Sequence, residues 1–129
     1  MKKQTEDWIL LAEKDLCAAG ILLKDDYPLT NIVAFHCQQT IEKYLKAFLV
    51  ENDAPIVKTH DLIRLNEMIK EIKELGIDEQ KLMMINEIYV EARYPGELGL
   101  ISDGMPTNEQ AKEYLEYAIE IKTIINNEL

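Results

Sequence analysis

Apolar residues recur every three or four positions through most of this chain, the period of an amphipathic helix rather than of a strand. The first run sets Trp8, Ala12, Leu16, Ala19 and Leu23 on one stripe, with Thr5 placed to cap it and Glu6 and Asp7 favouring the positive helix start, before Asp25-Asp26-Tyr27-Pro28 ends it. A second run, from about Leu29 to Val50, carries Val33, Cys37, Ile41, Tyr44 and Phe48 on one stripe and Phe35, Leu45 and Leu49 on another, so it belongs at the centre. Asn52-Asp53-Ala54-Pro55 breaks the pattern. Thr59 then predicts the cap of a third helix through Leu75, with Leu62, Leu65, Met68, Ile69 and Ile72 inward and Gly76 just past its end. Asp78 caps a fourth, carrying Leu82, Ile85, Ile88, Tyr89 and Ala92 up to Arg93-Tyr94-Pro95, where proline turns the preceding residue out of the helical region. Residues 94–106, with three glycines, read as a long loop acting as a cover or an interface element. Thr107-Asn108-Glu109-Gln110 is a capping box, opening a fifth helix with Ala111, Tyr114, Ala118, Ile121 and Ile125 on one side. The expected fold is all-α, an up-and-down antiparallel bundle of about five helices.

Composition supports that class and narrows the function. The 129 residues suit one helical domain, 1–129, and 5 Gly, 4 Pro and 7% aromatics favour helices over a sandwich or barrel. Lys plus Arg number 14 against 24 for Asp plus Glu, and a net charge of −10 repels a polyanion. Bulk nucleic-acid binding is therefore disfavoured, whereas a local site for one nucleotide or a short RNA needs only a few clustered cations. Cys17 and Cys37 are far apart, form no C-x-x-C pair, and read as reduced core thiols. No apolar run reaches the roughly 18 residues of a membrane span, so the expectation is a soluble cytoplasmic protein.

The second helix carries the candidate chemistry. Gln38 and Glu42 fall on the stripe of Phe35, Leu45 and Leu49, and a carboxylate buried there needs a counter-ion. Arg93, at the end of the fourth helix, can supply one as a bidentate partner of Glu42, shaping a groove with Gln38 and Tyr94. His36, Gln39, Lys43 and Lys46 follow one another at spacings of three and four along the polar face, which reads either as a solvated face with one ion pair or as a binding surface. Thr59-His60-Asp61-Leu62 puts His60 in the first turn of the third helix, beside N–H groups able to receive a phosphate. The plainer reading there is a Thr59 cap, an Asp61 that complements the helix dipole, and a packing His60. Metal and cofactor motifs are absent: His36 and His60 are the only histidines and lie in no H-x-x-x-H pattern. Ser102 is the sole serine and lies outside any G-x-S-x-G elbow, and the loop glycines form neither a G-x-G-x-x-G nor a Walker pattern, so no catalytic residue is assigned.

Taken in order, these segments resemble the HEPN domain (higher eukaryotes and prokaryotes nucleotide-binding), in the branch that contains Arg-Tyr-Pro. The residues that carry the likeness are Trp8, Ala12, Asp15-Leu16 and Ala19, then Phe35, Gln38-Gln39, Glu42-Lys43 and Leu45-Lys46-Ala47, then Thr59-His60-Asp61-Leu62, and finally Tyr89 with Arg93-Tyr94-Pro95. The resemblance implies an up-and-down bundle, homodimers and a nucleotide-binding role, often beside a small nucleotidyltransferase on a separate chain. Some HEPN proteins are metal-independent ribonucleases marked by an arginine with a histidine some four to six residues later. Here Arg93 leads to Glu97, Leu98 and Gly99, and Arg64 to Met68, Ile69 and Lys70, so the general acid/base is missing from that position. The reading is a non-catalytic homodimeric module that binds a nucleotide or phosphate-bearing ligand, a partner nucleotidyltransferase, or both. Gln39, Lys43, Lys46, His60 and Arg93 would face the ligand, and Gln38, Glu42 and Tyr94 would shape the groove. The alternatives are a ribonuclease toxin of a toxin–antitoxin pair, with His36 or His60 as proton carrier, and a ligand-free self-association scaffold.

Overall fold

The computed structural model describes residues 1–27, 29–55, 57–88 and 105–129. They form five α-helices, α1 (Lys3–Leu23), α2 (Thr30–Glu51), α3 (Leu62–Lys70), α4 (Glu79–Asn86) and α5 (Asn108–Glu128), and among the described residues there is no strand. The all-α class follows directly from the 3.6-residue period.

Helix α2 is the axis of the bundle and packs on all four others. Val33, Cys37, Ile41, Tyr44, Leu45 and Phe48 are buried on its several sides, as a helix apolar on more than one stripe requires. Each such aliphatic or aromatic side chain removed from water stabilises the fold by about 1.5–3 kcal/mol before ordering costs. Helix α1 runs antiparallel to α2: the Thr5 hydroxyl donates to Glu51 at 2.8 Å near one end, and Asp15 meets His36 and Lys43 further along. Ala12 and Ala19, both fully buried, bring the two helices close. Helix α5 closes the core with Ala111, Tyr117, Ala118, Ile121 and Ile125, and its capping box forms as the sequence implies, Thr107 accepting from the Gln110 N–H while the Gln110 side chain accepts from that of Thr107. Asp78 caps α4 by accepting from the Lys81 N–H at 3.1 Å.

Several local expectations are corrected. Thr5 does not cap α1; the helix begins earlier, after Lys2, and Thr5 is buried inside it because Glu51 takes its hydroxyl. Thr59 does not cap α3 either. Its hydroxyl accepts from the Asp61 N–H, and the Asp61 carboxylate, a stronger acceptor, receives the N–H groups of Ile63 and Arg64 at 3.0 and 3.4 Å. The helix therefore starts at Leu62, leaving His60 ahead of it, and stops at Lys70; Ile72 is exposed, and Gly76 takes its left-handed φ of 72° in the link beyond. Cys37 is a core thiol, its pKa pushed up to about 12 by burial, but Cys17 is exposed. On α5 it is Tyr117 that is buried, with Tyr114 at the margin. Tyr89, Ala92, Arg93, Tyr94 and most of the 94–106 loop lie outside the described residues. No helix among those described is long and apolar enough to cross a membrane.

Candidate functional site

Two carboxylates organise the polar side of α2. Asp15, reaching from α1, accepts on one oxygen from His36 Nδ1 at 2.8 Å and pairs through the other with the Lys43 ammonium. Glu42, on α2 itself, repeats the pattern: its Oε2 lies 3.0 Å from Lys46 Nζ, one turn on, and its Oε1 lies 3.0 Å from Nδ1 of His60. The Glu42 side chain is only 3% exposed, so the two partners offset a desolvation that would otherwise cost several kcal/mol. Lys43 and Lys46 are themselves largely covered, at 19% and 13%, whereas His60 is 51% exposed. Between the pairs, Gln39 Nε2 donates to the side-chain Oε1 of Gln38 at 2.7 Å, and the buried Gln38 Nε2 donates to the His60 backbone carbonyl at 3.4 Å.

Gln38, Gln39, Glu42, Lys46 and His60 are thus brought together, with Lys43 held beside them by Asp15. The expected Glu42–Arg93 clamp involves a residue outside those described; among the described residues, Lys46 and His60 occupy both oxygens of Glu42. A phosphate at the start of α3 has little to bind. Asp61 holds two of the terminal N–H groups and Asn86 Oδ1 accepts a third, from Leu62 at 2.7 Å. Among the described residues no group of three His, Cys, Asp or Glu side chains could hold a metal.

Sequence reasoning missed two members of the site, both from α1. Asp15 sits one position off the inner stripe of Ala12, Leu16 and Ala19, and a carboxylate at the edge of a buried stripe was the available signal. Trp8 lies beneath the Lys46 ammonium, 5.2 Å from the ring centroid, a cation–π contact. From that point a groove of about 310 Å³ opens between α1, the end of α2 and α3, with Leu11, Leu49, Val50, Val57, Leu65 and Met68 among its walls. A small pocket with mostly apolar walls and few polar groups at its edge is the usual form of a small-molecule site.

The sequence matches the family model described as HEPN domain over residues 5–128. No curated protein and no solved structure matches it.

Proposed function

The chain belongs to the HEPN domain family, and on that premise we propose that it is a non-catalytic module binding a nucleotide, with the base in the Trp8 groove and the charged end at Lys46 and His60. One observation carries this reading: at Lys46 an apolar groove with an aromatic wall meets a strip of hydrogen-bonding and cationic groups, the two surfaces that the two halves of a nucleotide require. The carboxylates neutralise much of the lysine charge, so the base and sugar supply most of the affinity and the phosphates less. Gln39 and Lys43 continue the strip, and the family likeness supports a homodimer acting beside a nucleotidyltransferase.

Trp8 is the only tryptophan, so its fluorescence reports directly on the groove. Titration with ATP should quench it, adenosine should retain most of the affinity, and inorganic triphosphate should bind much more weakly. Base–aromatic stacking is worth about 1–3 kcal/mol, so Trp8→Ala should weaken ATP binding about 5- to 150-fold by calorimetry. Absence of quenching and of heat at millimolar ATP would remove the proposal.

A ribonuclease reading draws on a separate observation. His36 and His60 each turn Nδ1 toward a carboxylate, the orientation that prepares the other ring nitrogen for proton transfer. Cleavage of a labelled RNA by the wild type and its loss in both His36→Ala and His60→Ala would favour it; cleavage indifferent to both substitutions would end it.

A further inference from the structure

A second cleft, of about 510 Å³, opens between α4 and α5 and shares no wall with the Trp8 groove. Aromatic rings line it: Tyr117 is buried, anchored by its hydroxyl donating to the Asp78 carbonyl at 2.8 Å, and Tyr114 is half-buried beside it. Met84 forms part of the rim and is 58% exposed, next to Met83 at 59%. Two adjacent exposed methionines offer an adaptable apolar surface. One cation already occupies the cleft. Lys81 Nζ lies 5.8 Å from the Tyr117 ring centroid and 3.8 Å from Glu120, so an ammonium is at home between ring and carboxylate there. Glu113 and Glu116 line the same face of α5 and make no ion pair among the described residues, leaving the cleft with surplus negative charge.

We propose that this cleft docks a segment of a protein partner in which an apolar side chain is flanked by lysines or arginines. The apolar side chain enters against Met84 and the tyrosines while the flanking cations meet Glu113, Glu116 and Glu120. A second copy is the wrong occupant of this face on charge grounds, since a symmetric pairing would set Glu113, Glu116 and Glu120 against the same three carboxylates.

The test is fluorescence anisotropy at about 0.15 M salt, where screening confines charge effects to near neighbours. The probe is a fluorescein-labelled peptide with a central leucine between runs of lysine. Wild type should bind it, and Met84→Ser and the pair Glu113→Gln with Glu116→Gln should each weaken binding about tenfold, the loss typical of an interface anchor. The charge-matched pair Glu67→Gln with Glu71→Gln, outside the cleft, should leave affinity within about twofold, and a peptide with serine for the leucine should bind as weakly as Met84→Ser does. Equal weakening by the Glu67 and Glu71 pair would reduce the effect to bulk charge and overturn the proposal, as would tight binding of the serine peptide. A change in the sedimentation of the chain alone in the cleft variants would overturn it in favour of a second copy.

Discussion

Glu42→Gln keeps the size of the side chain and an acceptor oxygen but removes the charge that Lys46 and His60 share. Breaking a buried ion pair by deleting one partner costs about 3–5 kcal/mol when the surviving charge has no escape. Lys46 has a partial one, being 13% exposed with its ammonium over the Trp8 ring, so the expected loss is nearer 2–3 kcal/mol. At about 2.1 cal/mol/K per residue, a chain of 129 residues unfolds with an entropy near 0.27 kcal/mol/K, and that loss lowers Tm by roughly 7–11 °C. Urea unfolding followed by circular dichroism gives the free energy, with Lys46→Met and the double variant completing the cycle. Glu42→Gln leaves the Lys46 ammonium without its carboxylate and Lys46→Met leaves Glu42 with His60 alone, whereas the double variant removes both charges, so the double should be less destabilised than the sum by about 1–2 kcal/mol. A Glu42→Gln chain within about 0.5 kcal/mol of wild type at unchanged m, or strictly additive variants, would refute the idea that this carboxylate is held by its partners.

Other expectations are narrower. Asp61→Ala removes the cap of α3 and the bond from Asn86 Nδ2 at 3.0 Å, and should cost about 1–2 kcal/mol in urea; Asp61→Asn should recover most of it. Tyr44 buries a hydroxyl with no hydrogen-bond partner among the described residues, so Tyr44→Phe should leave stability unchanged or raise it by about 1 kcal/mol. Burial pushes the Tyr44 phenol up to about 12 from 10.0, reinforced by the Glu13 carboxylate and opposed by Asn126, which lies near without satisfying the hydroxyl in good geometry. With Cys37 raised from 9.0 to about 12 as well, the folded state holds protons that the unfolded state releases. Stability is then fully present below about pH 9 and falls as pH rises toward 12, and Tyr44→Phe should flatten the part of that fall above pH 10, read from urea midpoints. A thiol reagent at about pH 8 should label Cys17 alone in the native chain and both cysteines in urea.

The parts of the fold governed by neighbours in sequence were legible there. The extent of α2, the Asp78 cap and the Thr107 capping box rest on residues within a turn of each other, and they appear where the pattern puts them. The start of α3 was not legible because Asn86, 25 residues on, braces Asp61 and tips the choice between two adjacent caps. Likewise the burial of Glu42 was visible from helical spacing, while its pairing with His60, 18 residues away, depended on the path of the link after α2. The association of Asp15 with Lys43 across 28 residues, and of Trp8 with Lys46, is set by how far α1 slides along α2, a quantity no periodicity encodes.

Trp8 and Asp15 arrive on one rod, and Lys43 and Lys46 on the next. Neither rod alone brings the indole ring, the Asp15 carboxylate and the two ammonium groups together. On the proposed function, a copy still emerging from synthesis, or one beginning to unravel, should therefore leave nucleotide unbound, and occupancy of the Trp8 groove would become a readout of completed assembly.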